Sequence, residues 1–176
     1  MKPRVMIVDD ELDMLTTCRM ALAGEGLRLH LEPNPTRVPQ LLRGERYDLL
    51  VSDIKMPELD GISLLGKVRE ADPTLPVLLM TAFPEMETAV CALRMGAQDY
   101  LLKPFHPDDL VRRVRRALEE RRLRGENRLL ARQVERAYAV PEIVGRSEAL
   151  MKVLETADKV AATKADVLIL GESGTG

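Results

Sequence analysis

Five short apolar runs alternate with amphipathic segments along the first two thirds of this 176-residue chain, and that alternation leaves few folds open. The runs that read as strands are Arg4 to Val8, Leu27 to Leu31, Leu49 to Asp53, Val77 to Thr81 and Asp99 to Leu102. A helix-like segment separates each from the next, so the strands are joined by crossovers and must lie parallel, with right-handed connections. The first helix begins near Asp10 or Glu11 and carries Leu15, Cys18 and Leu22 at helical spacing until Gly24 and Gly26 stop it. The second, near Thr36 to Arg43, is crowded by Pro33, Pro35 and Pro39. The third opens after Asp60-Gly61 with Ile62, Leu65 and Val68 on one face, and the fourth runs from about Pro84 to Met95 and ends at Gly96. The expected fold class is α/β, a doubly wound five-stranded parallel sheet.

Two of these strands end in acids. Asp9 and Asp10 follow Val5-Met6-Ile7-Val8, and Asp53 follows Leu49-Leu50-Val51-Ser52. Parallel strands bring all three carboxylates to the carboxyl edge of the sheet, where open α/β folds bind their ligands. Like charges that close raise one another's pKa unless a cation joins them. A hard divalent metal, Mg2+ before others, is the simplest occupant of such a site.

A formal net charge of −2 argues against polyanion binding by the chain as a whole, although the average hides an Arg-rich stretch from Arg112 to Arg136. Glu119, Glu120, Glu126 and Glu135 interrupt that stretch, which favours charge pairing between helices over DNA binding. Cys18 and Cys91 are the only cysteines and read as core thiols in a reducing cytoplasm. No apolar run approaches the ~20 residues needed to span a bilayer, so neither secretion nor membrane insertion is expected. His30 and His106 lack a second ligand nearby and are assigned no metal or catalytic role.

From Pro107 apolar periodicity continues, with Gly125 as its one interruption, to the neighbourhood of Tyr138, which is ~50 Å of helix if unbroken. Leu110, Val114 and Leu118 suit packing on the sheet. Leu123, Asn127, Leu130, Val134 and Ala137 then alternate at spacings of four and three, the pattern of a dimeric coiled coil with a polar Asn at one a position. Beyond Val140-Pro141 comes Ile143-Val144-Gly145-Arg146-Ser147, a helical stretch from Glu148 to about Ala161, an apolar strand Val167 to Leu170, and Gly171-Glu172-Ser173-Gly174-Thr175-Gly176. A strand leading into G-x-x-x-x-G is the opening of a phosphate-binding loop. Its Lys and hydroxyl residue are not among these 176, so no useful ATP binding is expected of the chain alone.

Four ordered motifs at four strand ends carry a resemblance to a known family: Val5 to Asp10, Asp53-Ile54-Lys55-Met56-Pro57-Glu58-Leu59-Asp60-Gly61, Thr81-Ala82, and Asp99-Tyr100-Leu101-Leu102-Lys103-Pro104-Phe105. Together they resemble the receiver domain of two-component response regulators, over about Met1 to Leu123. Val144-Gly145-Arg146-Ser147 and the terminal Gly-rich run resemble the start of the AAA+ domain of NtrC-type, sigma-54-dependent activators. The resemblance implies a flavodoxin-like strand order of 2-1-3-4-5. It divides the chain into a receiver at 1–123, an extended fifth helix and dimerising linker at 107–139, and the beginning of an ATPase domain at 140–176.

It also implies a role for each matching residue. Asp53 is the expected phosphoacceptor for a sensor histidine kinase. Asp9, Asp10, Asp53 and the backbone carbonyl of Lys55 are the expected Mg2+ ligands. Lys103 reaches a phosphoryl oxygen or, before phosphorylation, Asp53. Thr81 and Ala82 bind the phosphoryl group, and Tyr100 turns inward as Thr81 moves. The fragment itself is expected not to be an enzyme beyond its own phosphorylation and dephosphorylation. ATP, sigma-54 polymerase and DNA are expected partners only of the remainder of a longer protein. A haloacid dehalogenase-type phosphatase fits poorly, because it needs D-x-D after the first strand where Asp9-Asp10-Glu11 stands. The nearer alternative is a receiver-like docking or dimerisation module that works without phosphorylation.

Overall fold

The computed structural model of the chain describes residues 2–82, 86–137, 147–161, 163, 166–168, 170 and 171, with backbone only at 86–89 and 132–137. The chain divides into two compact units, Met1–Ala131 and Arg132–Gly176. In the first, β1 (Arg4–Val8), α1 (Leu12–Ala21), β2 (Arg28–Glu32), α2 (Val38–Gly44), β3 (Leu49–Asp53), α3 (Gly61–Ala71), β4 (Val77–Thr81), α4 (Met86–Arg94) and β5 (Asp99–Leu102) alternate along the chain. Helix α5 (Pro107–Ala137) follows, and α6 (Glu148–Ala161) lies in the second unit. The five strands form one wholly parallel sheet in the order β2-β1-β3-β4-β5, as the resemblance implies.

Strand β2 begins and ends one residue later than the periodicity suggests. Arg28 N–H donates to Pro3 O at 2.8 Å, which sets the register and puts Glu32 rather than Leu31 at the strand end. Helix α1 begins after Glu11, whose side chain makes no cap hydrogen bond. Asp9 Oδ1 instead accepts the Glu11 N–H at 3.0 Å. Around the prolines, a 3-10 turn at Pro35–Arg37 precedes α2; Asn34 caps that turn through the Thr36 N–H.

Strands β1, β3 and β4 are buried on both faces, and their side chains alternate between two cores. Met6, Val8, Leu50 and Leu79 face Leu64, Leu65 and Val68 of α3 and Ala92 of α4. Val5, Ile7, Leu49, Val51, Leu78 and Met80 face Leu15 and Cys18 of α1 and Leu110, Val114 and Ala117 of α5. Each fully buried Leu, Ile or Met contributes about 1.5–3 kcal/mol of transfer free energy, so these two layers hold the strand ends, and therefore the site, in place. Cys18 belongs to this core, and burial pushes its thiol up to about 12. Cys91 does not: it lies on the exposed side of α4, because α4 turns Ala92 rather than Cys91 to the sheet.

Helix α5 passes through Gly125 without a break. The ion pair from Arg122 to Glu126 spans that position, and Arg122 also pairs with Glu119, which supports the turn that Gly weakens. Past Leu118, which still packs against that core, its apolar side chains leave it: Leu123 is 49%, Leu129 61% and Leu130 60% exposed. Asn127 is exposed as well, and the side chains of the last two heptad positions, Val134 and Ala137, lie outside the described residues. In the second unit α6 keeps its expected bounds and is capped by Ser147 Oγ, which accepts the Leu150 N–H at 3.3 Å. The described part of the expected strand at Val167–Leu170 is not a strand. Val167, Leu168 and Leu170 are exposed, and none pairs with a strand among the described residues. Pro84, the Val144-to-Arg146 motif and Glu172 to Gly176 lie outside the described residues; Gly171 is exposed coil.

Candidate functional site

Asp9, Asp53, Thr81 and Lys103 all sit at or just past the carboxyl ends of β1, β3, β4 and β5 because the strands are parallel and in register, with Val8 opposite Ser52, Asp53 opposite Met80 and Thr81 opposite Leu102. The hydrogen bonds of the loops extend that register. Ile54 N–H donates to Met80 O at 2.9 Å, and Lys103 N–H to Thr81 O at 2.6 Å. The Lys103-Pro104 bond is cis.

Lys103 forms the centre of the site. Its Nζ lies 2.6 Å from Asp53 Oδ1 and 2.7 Å from Asp9 Oδ2. Asp9 is 1% and Asp53 6% exposed, so one ammonium ion joins two carboxylates that water scarcely reaches. Burial works against the Lys103 charge, but its hydrogen bonds to Asp53 and Asp9 outweigh that cost and hold its pKa above the ordinary value. Burial also pushes the Asp53 carboxyl above the usual range. The Lys103 hydrogen bond and charge pull it back only in part, the Asp9 charge adds to the rise, and the Lys55 backbone N–H opposes it. The cation that the carboxylates need is thus supplied by the chain itself in this state.

The acids are not gathered as evenly as the strand pattern suggests. Asp10 is exposed, and no group of three His, Cys, Asp or Glu side chains is arranged to hold a metal among the described residues. The donor chemistry nevertheless suits a hard cation: two oxygen ligands face a single point, and a third carboxylate adjoins Asp9 in sequence. Thr81 is buried and Ala82 exposed at the end of β4. Tyr100, opposite Leu79, is half-buried and packs against the core. His30 Nδ1 lies 2.6 Å from Tyr47 Oη, which donates to Glu45 at 2.9 Å.

Two residues to which the sequence analysis gives no role at the site shape this edge. Gly61 lies so close to the acceptor strand that a Cβ there would fall 2.2 Å from Asp53 O and 2.9 Å from Ile54 Cα. Its N–H donates to Ile54 O at 2.8 Å, closing the 54–61 loop back onto the end of β3, while the Asp60 side chain caps α3 through the Ile62 and Ser63 N–H groups. Glu32, 2% exposed, accepts the Asn34 N–H at 3.0 Å and lies 3.6 Å from Arg37. Gly directly after an Asx cap was the available signal for Gly61; the one-residue shift of β2 concealed Glu32.

A five-stranded 2-1-3-4-5 sheet with buried acids and a lysine at its carboxyl edge defines the CheY-like receiver class. The family model described as "Response regulator receiver domain" matches residues 5–115, and the chain belongs to that family. A second model, "Sigma-54 interaction domain", matches residues 143–176. The chain is 40% identical to the regulatory protein AtoC of Escherichia coli over 98% of its own length and 38% of that protein's. It is 36% identical to the DNA-binding transcriptional regulator NtrC of Escherichia coli, over 98% of its length and 36% of that protein's. It therefore spans less than two fifths of these relatives. Among solved structures, a CheY-like receiver domain protein from Methanospirillum hungatei superimposes with a TM-score of 0.68 at 28% identity, covering 71% of this chain and all of that one.

Proposed function

We propose that this chain is the phosphorylation-controlled input module of a sigma-54-dependent transcription activator, with Asp53 as the phosphoacceptor. The observation that carries the reading is the Lys103 bridge between Asp53 and Asp9. A nucleophilic carboxylate has to be ionised, and in so buried a place only a fixed cation keeps it so.

In the proposed step an Asp53 oxygen attacks the phosphorus of a phosphohistidine on a sensor histidine kinase. The O–P bond forms and the P–N bond breaks; the electron pair stays on the imidazole nitrogen, which takes up a proton from water. Asp9, Asp10, Asp53 and the Lys55 backbone carbonyl are the oxygen donors that would hold Mg2+, which when bound offsets the charge of the phosphoryl oxygens. Lys103 is placed to follow the negative charge from carboxylate to phosphoryl group. Thr81 supplies a hydroxyl donor at the neighbouring strand end, and Ala82 a backbone N–H. Movement of Thr81 toward the phosphoryl group frees space beside Tyr100, which turns inward; a local change of charge thereby alters the outer face of β5.

The output runs through α5. Exposed Leu123 and Leu130, with Asn127, Val134 and Ala137, form the dimer linker in this reading. The Gly171 to Gly176 run begins the nucleotide loop of an ATPase whose remainder, like the contacts with sigma-54 polymerase and DNA, belongs to the longer protein. The test is a thermal shift with Mg2+ and beryllium fluoride, a mimic of the phosphoryl group. The wild type gains stability and Asp53→Asn does not; a gain shared by both would remove Asp53 from the role.

A further inference from the structure

At the opposite edge of the sheet from Asp53, where β4 and β5 begin, a cavity of about 810 Å³ opens between the strand ends and the part of α5 that overhangs them. Its floor is Leu75, Pro76, Gly96 and Ala97, and its charge comes from six arginines: Arg69 of α3 and Arg113, Arg116, Arg121, Arg124 and Arg128 of α5. Asp99 and Glu120 are the only acids that line it.

The helix produces this imbalance by its spacing. Arg116, Glu120, Arg124 and Arg128 recur every fourth residue, and Arg113, Ala117, Arg121 and Gly125 form a second such row beside them, in which the small residues leave room. Of the other helix acids in this region, Glu119 and Glu126 are committed to Arg122, which does not line the cavity. Glu120 alone answers Arg116 at 3.0 Å and Arg124 at 3.6 Å, and it also accepts from Gln98 at 2.7 Å. Arg128 has no ion pair among the described residues. Arg69 is spent on the carbonyls of Leu75 and Gly96, and Arg113 on Asp99. Arg121 is shared between Asp72 at 3.6 Å and Asp48 at 3.8 Å, and even so its Nη1, like Arg113 Nε, is buried without an acceptor among the described residues. The lining is short of acceptors as well as of negative charge.

From this we infer a second binding site, for a small molecule carrying two or more phosphate groups, such as a nucleoside polyphosphate. Guanidinium forks match phosphate oxygens in pairs, the size lies within the range of small-ligand pockets (roughly 300–1,000 Å³), and the apolar floor suits a flat base or sugar. A concave site of this size fits a compact ligand better than an extended nucleic acid. Because α5 forms one wall, ligand binding fixes its overhang over the sheet and links a metabolite to the segment that leads out of the receiver.

The test is calorimetric titration of the whole chain with sodium tripolyphosphate, and separately with ATP, at physiological salt. Saturable one-to-one binding of tripolyphosphate is expected, weakened at least about tenfold in the double variant Arg124→Gln, Arg128→Gln, since both side chains are exposed and neither holds the fold. Glu120→Gln moves in the opposite direction and tightens binding several-fold, which keeps the test decisive if the double variant is poorly folded. Absence of binding at millimolar tripolyphosphate overturns the inference. So does binding that the double variant retains, which places the phosphates on the Gly171 to Gly176 run, or equal affinity for an octaglutamate peptide, which makes the cavity a dock for acidic protein segments.

Discussion

Replacing Gly61 by Ala sets two physical effects against each other, and the structure decides between them. Helix propensity favours Ala by up to about 1 kcal/mol at an ordinary helical position, and Gly61 has no left-handed backbone that would need glycine. Packing opposes it. The new Cβ meets Asp53 O at 2.2 Å, and that gap has to open to at least 3.0 Å against main chain on both sides. Overpacking a rigid core costs about 1–3 kcal/mol, and with no flexible side chain to yield the upper end applies, so the variant loses about 2–3 kcal/mol net. Gly66→Ala is the internal control. It lies in the same helix, its Cβ would touch only Met95 Cε at 3.9 Å, and it stabilises by about 0.5–1 kcal/mol. Urea unfolding followed by far-ultraviolet circular dichroism reads both. Because the displaced atom is the carbonyl of the acceptor itself, phosphorylation by acetyl phosphate also slows, on the order of a hundredfold for a shift near 1 Å. A Gly61→Ala protein as stable and as quickly phosphorylated as wild type would refute the account of this loop.

Lys103→Met leaves two buried carboxylates without their cation and lowers stability by about 3–5 kcal/mol in thermal melts with EDTA; Mg2+ restores more to the variant than it adds to wild type. Equal Mg2+ responses would mean that Lys103 and the metal do not share the same carboxylates. Asp60→Ala removes the α3 cap and costs about 1 kcal/mol near neutral pH. Burial raises the Asp60 carboxyl, but the Ser63 and Ile62 hydrogen bonds outweigh it and its pKa is lowered on folding. Its stabilisation is therefore present above the ordinary carboxylate value, near pH 4, and is lost as pH falls through the folded value; the gap between wild type and variant closes in acid melts. Charged residues at Leu123 and Leu130 yield monomers in sedimentation if the α5 seam holds a dimer.

Strands β1, β3 and β4 were legible because they are buried on both faces and so read as short unbroken apolar runs; the half-buried edge strand β5 also falls where the sequence placed it. Strand β2 is at the edge, half-buried, and its one-residue shift depends on a backbone contact with Pro3 that no side-chain pattern records. The four strand-end motifs located Asp9, Asp53, Thr81 and Lys103, since parallel strands leave no other place for them. That Lys103 stands between the two carboxylates, while Asp10 faces solvent, depends on side-chain geometry beyond the reach of spacing. Gly61 was read as a turn residue; its closeness to Asp53 is a tertiary fact. Cys91 was misplaced because α4 turns its neighbour Ala92 to the core, and one step around a helix exchanges core for surface. The apolar run at Val167 carried a strand signal with no partner strand described to complete it.

The most direct test is intact mass after incubation with Mg2+ and acetyl phosphate, for wild type and Asp53→Asn in parallel. The account predicts one added phosphoryl group on the wild type and none on the variant. A wild type that stays unmodified, or a variant that gains the same mass, would contradict Asp53 as the phosphoacceptor.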